Sequence, residues 1–522
     1  MSESEKKNAV DGKRRAVMKV GFALPLAGGM ISGCSTVATG TQTSMGTQSS
    51  MGTHIKDAAP LSAVEIVRHV TDGSLSAEKH ASDMLARYEA TRVINAFTWI
   101  DKQKVLEQAR NIDLMRKKGQ KLGPLAGVAV AMKDNIDTVG FPTTGGTPVL
   151  KNNFPQKNAP FVELLFNNGA YLFGKTNMHE LAKGATSSNM GYGPARNPID
   201  PKRIPGGSSG GSAAALAANI VPIALGTDTA GSVRIPAALC GVVGFRPSVN
   251  GRRKLYSDRG VLPLTLDFDT IGPMARSVED VALIHSVATS RAPQKAASLK
   301  GMRIGIPRSY FYEALEPEVQ RVTEQALRKL RDAGVVLVEI DLGDFARSAS
   351  KLFVQTMEVS VRKDLEDYLA TRKTRYDASD IVNSIVSPDV KAFYQRLSSI
   401  KATPESVHHI RNVARPQLAR TYEEVLRENG VNFIAFPTEP IAAPLVREGG
   451  DVAEDPRGKR DPQALALIRN TCTAGIVGAP GMSIPTGRTA EGLPVALEFD
   501  GVHGSDNGLI ALGLAVEKAL GV

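Results

Sequence analysis

Three short segments of this chain carry residue types that could perform acyl-transfer chemistry together. Val130-Ala131-Met132-Lys133-Asp134-Asn135-Ile136 puts a lysine at the mouth of an apolar run. Pro205-Gly206-Gly207-Ser208-Ser209-Gly210-Gly211-Ser212 sets serines between glycines, and so does Gly226-Thr227-Asp228-Thr229-Ala230-Gly231-Ser232-Val233-Arg234-Ile235-Pro236. A serine hydroxyl is a weak nucleophile and needs a base in hydrogen-bond reach. Lysine can be that base only when neutral, and lowering its pKa from ~10.4 to ~7 takes about 4–5 kcal/mol of differential solvation. Burial can depress a lysine by roughly 3–5 units, and the apolar run before Lys133 suits burial. Glycines beside the serines let backbone approach a substrate and aim N–H groups at a developing oxyanion.

Each segment also has an ordinary reading. A lysine at a strand end is commonly solvated, and a GGSSGG stretch is commonly a turn. Gly206-Gly207-Ser208-Ser209-Gly210 matches the G-x-S-x-G nucleophile elbow in form. An elbow needs a later histidine with an acid partner, and the downstream histidines His285, His408, His409 and His503 sit in no glycine-framed turn. The stretch also lacks the GK[ST] ending of a phosphate loop. His179, the sole histidine between Lys133 and Ser232, reads as structural.

The elements that would position these residues can be read from periodicity. Ala63, Ile66, Val67 and Val70, then Ala81, Met84, Leu85 and Tyr88, fall at helical spacing. Leu125–Met132 reads as a strand buried on both faces. A helix near 160–168 leads to a strand at Ala170–Phe173, and Ser212–Asn219 reads as an alanine-rich helix. Pro317–Ala333 predicts a helix with Pro near its start and Gly334 past its end, followed by a strand at Val335–Ile340. Residues 345–430 look mainly helical, with late strands at Phe433–Pro437 and Met482–Pro485. Helices and strands alternate with no linker-like break after residue 60, which predicts one layered α/β domain, residues 59–522.

The 522 residues are 42% hydrophobic and 22% charged, enough apolar content for a large core. Three of the ten net positive charges fall in residues 1–33, and the rest form no concentrated Lys/Arg run, which argues against nucleic-acid binding. Three cysteines make no disulfide framework, and their spacing suggests no zinc; Cys240 and Cys472 sit in apolar stretches. Residues 1–33 read as an export signal: Lys13-Arg14-Arg15-Ala16-Val17-Met18-Lys19, then an apolar run from Val20 to Ile31 too short to span a bilayer. The arginine pair is similar to a twin-arginine signal, with an ordinary Sec-type basic region as the alternative. Ile31-Ser32-Gly33-Cys34 resembles a lipoprotein box with Cys34 as the lipidated residue. Residues 34–58 then form a Ser/Thr/Gly/Gln-rich tether, reaching roughly 25 Å over its first twenty residues. These signals point to a periplasm-facing envelope lipoprotein, held to the membrane through Cys34 alone, or to a soluble periplasmic protein.

Taken together, the three segments resemble the amidase signature family, in both order and spacing. The similarity runs from Leu61 to the C-terminus and includes Leu125–Gly140, Gly174-Lys175-Thr176-Asn177-Met178, Gly272-Pro273-Met274-Ala275-Arg276 and Gly492-Leu493-Pro494. The resemblance implies an α/β/α domain with a central mixed sheet covered by helices, and no cofactor or metal. It implies that Ser232 attacks an amide carbonyl while Ser208, held by a cis peptide, relays the proton to neutral Lys133. Backbone N–H groups of Thr229, Ala230, Gly231 and Ser232 would form the oxyanion hole. Ser209 would line the site, and Asp228 and Arg234 would brace the loop. Ala230 stands where many members have glycine, so a positive φ there would be costly. Tyr256–Pro263 and Leu497–Asp506 look most like arylacetamide hydrolases, which implies a small aryl or alkyl amide partner yielding carboxylic acid and ammonia or an amine. Residues 345–430 would shape the acyl pocket. Anilides, carbamates and esters stay open as substrates, and so does the oligomeric state, a homodimer included. A glutamyl-tRNA amidotransferase A subunit or a non-catalytic envelope lipoprotein are the rival readings; export disfavours the first and retention of all three residues the second.

Overall fold

The computed structural model describes residues 60–372, 374–400, 402–452 and 461–522. The export signal, the tether and Cys34 lie outside the described residues.

Among the described residues eleven strands form one mixed sheet, and its centre is built from the segments that carry the candidate chemistry. In spatial order they are Phe97–Trp99, Tyr171–Thr176, Ala129–Lys133, Ile223–Asp228, Thr270–Ala275, Val243–Arg246, Gly481–Arg488, Pro494–Gly501, Phe433–Pro437, Arg303–Pro307 and Val336–Ile340. The Ala129–Lys133 strand runs parallel to both of its neighbours, Tyr171–Thr176 and Ile223–Asp228. Ile223–Asp228 is antiparallel to Thr270–Ala275, and parallel pairing returns only at the Arg303–Pro307 edge. All three parallel strands near the site are buried along their whole length, as strands covered on both faces must be. Helices pack over the sheet through one large apolar cluster that includes Val130, Leu172, Leu216, Leu225, Phe245 and Phe499.

The expected elements are present with shifted ends. The strand expected at Leu125–Met132 opens at Ala129, because the chain turns through Gly127 at φ 81° before entering the sheet. The next runs Tyr171–Thr176, three residues beyond its expected end. The alanine helix spans Gly210–Ala217, two residues ahead of the expected span, with Asn219 at φ 58° beyond it. The long amphipathic helix is Pro317–Asp332. The described residues between 343 and 428 hold five α-helices: Gly343–Ala370, Ala378–Asn383, Pro388–Ser398, Pro404–His409 and Arg415–Glu428.

Candidate active site

Lys133 ends its strand at zero exposure, and its Nζ donates to Ser208 Oγ at 2.7 Å and to Thr227 Oγ1 at 2.8 Å. A third bond, at 3.3 Å, goes to the Thr227 carbonyl. Burial pushes this lysine down to about 7, with Asp269 and Asp228 pulling weakly the other way. Its proton is therefore free to leave near neutrality. Beneath it, Lys175 is buried against Asp134 at 3.4 Å and donates to the Ile136 carbonyl at 2.6 Å, fixing the turn that follows Lys133.

Ser208 is fully buried on a turn whose Gly207–Ser208 peptide bond is cis. The turn needs glycine at 207, where a Cβ would lie 2.7 Å from Thr186 N and 2.8 Å from Ser187 N. Ser209 N donates to the Ser232 carbonyl at 3.1 Å, so the two glycine-framed turns are adjacent. Ser209 follows directly on the same turn. It is fully buried, and its Oγ bonds to Thr227 N and O at 3.3 Å each, stitching the turn to the strand below.

The loop carrying Ser232 is organised by a carboxylate. Asp228 Oδ1 accepts from Gly231 N at 2.9 Å, and Oδ2 accepts from Val233 N at 3.2 Å. Arg234 grips both oxygens at 3.0 Å, and Arg246 adds a bond to Oδ1 at 2.9 Å. Burial opposes the charge on Asp228, but the two guanidiniums overcome it and hold the carboxyl well below its usual range. Arg234 also reaches Glu498 Oε1 at 2.7 Å and the Thr471 carbonyl at 2.9 Å. Thr471 Oγ1 closes the ring on the Ala230 carbonyl at 2.6 Å.

This bonding alters the expected oxyanion donors. The Gly231 N–H is committed to Asp228, while among the described residues the N–H groups of Thr229, Ala230 and Ser232 have no protein acceptor. The positive φ of the loop falls on Gly231, at 123°, and Ala230 is not among the positive-φ residues. The Ala230 methyl is thus unstrained, and it joins the lining of the cavity at Ser232.

That cavity, of ≈560 Å³, is walled by Ile235, Leu264, Phe353, Met357, Phe393 and Ile468, with Ser232, Thr229 and Ala230 at its floor. Phe353 and Met357 come from the Gly343–Ala370 helix and Phe393 from Pro388–Ser398, so residues 345–430 supply part of the wall of the cavity at Ser232. A second cavity of ≈440 Å³, lined by Arg253, His285, Arg291 and His503 among others, contains none of Lys133, Ser208 and Ser232.

Several residues escaped the sequence reading. Thr227 and Asn135 lie beside Asp228 and Lys133 in sequence, and Asn135 Nδ2 donates to Thr227 Oγ1 at 3.1 Å. Asp269, raised to about 6 by burial, accepts from Thr229 Oγ1 at 2.5 Å. No local pattern marks Asp269, Thr471 or Glu498, which reach the loop only through tertiary contact. His179, Asp389 and Asp451 converge at the cavity edge with side-chain N and O atoms within 4.8 Å of one another, a set that spacing did not reveal. His179 Nδ1 accepts from Ser187 N at 3.2 Å, so its proton sits on Nε2, facing Asp389 at 3.1 Å. That tautomer makes a histidine–aspartate hydrogen bond and offers an ion no ring lone pair.

Residues 81–510 match the family model described as Amidase. The chain belongs to the amidase signature family. This amidase is 35% identical to a mandelamide hydrolase of Pseudomonas putida over 484 residues, 90% of this chain and 92% of that one. It is 37% identical to an indoleacetamide hydrolase of Agrobacterium vitis over 84% of this chain and 92% of that one. Among solved structures, the native peptide amidase of Stenotrophomonas maltophilia superposes with a TM-score of 0.76 at 26% identity, covering 89% of this chain and 98% of that chain. The amidase is therefore an amide hydrolase with a mixed α/β fold, its large sheet flanked by helices.

Proposed function

We propose that this amidase hydrolyses a small aryl or alkyl carboxamide to the carboxylic acid and ammonia or an amine, through an acyl-enzyme on Ser232. The observation that carries the reading is the fully buried Lys133 Nζ, 2.7 Å from Ser208 Oγ, together with a largely apolar cavity that Ser232 lines. Neutral Lys133 takes the Ser232 proton by way of Ser208 as the hydroxyl adds to the amide carbonyl. The tetrahedral oxyanion is met by the free N–H groups of the Thr229–Ser232 loop, with Gly231 holding the loop to Asp228. The relay then returns the proton to the leaving nitrogen, and water repeats the sequence on the acyl-enzyme. The aryl preference rests on Phe353, Phe393, Met357 and Leu264 around the acyl position, and on the names of the mandelamide and indoleacetamide hydrolases.

A panel of primary arylacetamides, alkylamides, anilides, carbamates and esters tests this with the wild-type enzyme, Ser232→Ala and Lys133→Ala. Arylacetamide turnover lost in Ser232→Ala supports the reading; turnover persisting in that variant contradicts it. Preference for anilides or esters keeps the triad and replaces the substrate class. We further propose export and lipidation at Cys34, which predicts that wild type fractionates with membranes and Cys34→Ala with the soluble periplasm.

A further inference from the structure

Below the Asp228–Arg234 pair lie more buried carboxyl groups than the cations there can balance. Glu498 and Asp500, two residues apart on the Pro494–Gly501 strand, point to the same face and meet Arg234. Glu439, just beyond the Phe433–Pro437 strand, is buried beside them. With Asp228 this makes four carboxyls facing three guanidiniums: Arg234 and Arg246 among Asp228, Glu498 and Asp500, and Arg469 toward Glu439. Tyr422 also turns toward Asp500 and Glu498. Among the described residues, no N–H or O–H is bonded to Glu498 Oε2 or to either oxygen of Asp500 or Glu439.

Asp228 is ionised, so one further negative charge neutralises the pair of arginines. Arg234 Nη1 chooses Glu498 Oε1, at 2.7 Å, and stands 3.9 Å from Asp500 Oδ1. Glu498 Oε1 and Asp500 Oδ1 thus converge on one guanidinium nitrogen, and the two carboxyls act on each other directly. Two neighbouring buried carboxyls cannot both ionise at reasonable cost. A single proton between them satisfies two orphaned oxygens and leaves one charge for Arg234. Room for the pair comes from Gly481 on the adjoining strand, where a Cβ would sit 2.6 Å from Asp500 Oδ1 and 2.9 Å from Glu498 Oε1.

We propose that Glu498 and Asp500 share one proton and act as positioning residues, holding Arg234 on Asp228 and thereby the Ser232 loop in its catalytic shape. The inference rests on the Ser232 mechanism above for its activity readout, but not for its spectroscopic one. Neither carboxyl touches substrate. Their influence passes through Arg234, whose Nη2 also bonds the Thr471 carbonyl and whose partner Asp228 holds Gly231 N and Val233 N.

Infrared spectroscopy of the substrate-free enzyme at neutral pH tests the shared proton. Wild type shows a protonated-carboxyl band that is lost in both Asp500→Asn and Glu498→Gln. Spectra unchanged in that region for both variants overturn the proposal. The positioning role is read from kinetics. Glu498→Ala loses about 10²-fold in kcat with little change in KM, the scale of a small misplacement of reacting groups. Glu498→Gln mimics the protonated glutamate, accepting from Arg234 and donating to Asp500, and recovers most of that loss. Should Glu498→Ala fail to fold, the Gln variant and Asp500→Asn, both isosteric, still decide the matter by their bands. Wild-type kcat in Glu498→Ala, or no recovery in the Gln variant, refutes the positioning role. A wild-type enzyme whose activity survives Ser232→Ala would instead refute the mechanism, leaving the infrared result to stand alone.

Discussion

Lys133 gives up hydration and receives no adjacent carboxylate in return. Its bonding partners are the hydroxyls of Ser208 and Thr227 and one carbonyl, while Asp269 and Asp228 act only from a distance. Below about 7 the lysine is protonated and cannot accept a proton; above it the amine is neutral, as the proposed base must be. The kcat profile should therefore rise with pH through an apparent pKa near 7, a direction opposite to that of a catalyst needing charged lysine. Lys133→Ala should lower kcat by about 10²–10⁴-fold at neutral pH, the usual range for loss of a general base. At Ala230 the backbone is unstrained and the methyl faces the cavity, so Ala230→Gly relieves nothing in the loop. Its effect should fall on KM for bulky acyl groups more than on kcat, measured across a branched-amide series.

The Ser232 loop shows why an element can be recognised without its support being visible. Lys133, Ser208 and Ser232 were legible because glycine framing and the apolar run are local patterns. The strand that aligns them, Ile223–Asp228, went unread because Ile-Ala-Leu-Gly-Thr-Asp lies in a Gly/Ser/Ala-rich stretch of weak strand propensity. Its strand geometry comes from pairing with Ala129–Lys133 and Thr270–Ala275 on either side. Thr471 and Glu498 join the loop across 237 and 264 residues through Arg234, distances at which no spacing rule operates. Gly231 is the hinge of that arrangement, at φ 123° and with Thr471 Oγ1 only 2.2 Å from where a Cβ would be. Gly231→Ala should lower the thermal midpoint and cost about 10²-fold in kcat by displacing Ser232. An unchanged midpoint and kcat would show that the loop does not need this conformation.

At the scale of the whole molecule, the sheet and the helical segment divide the work. The sheet carries Lys133 and the root of the Ser232 loop, while the helices Gly343–Ala370 and Pro388–Ser398 set the cavity wall through Phe353, Met357 and Phe393. Helical content over 345–430 was readable from periodicity, but which faces turn toward Ser232 depends on packing against the sheet. Phe353→Ala should shift preference toward larger acyl groups, by about 1–3 kcal/mol per methylene-sized change, seen as a reordering of kcat/KM along an amide series. The account's central claim is that Ser232 forms the acyl bond, with Lys133 and Ser208 moving the proton. Rapid quenching during turnover of a slow anilide, followed by mass spectrometry of the digested enzyme, tests it most directly. The account predicts an acyl adduct on the peptide bearing Ser232, absent from Ser232→Ala. An adduct on Ser208, or turnover that survives in Ser232→Ala, would contradict it.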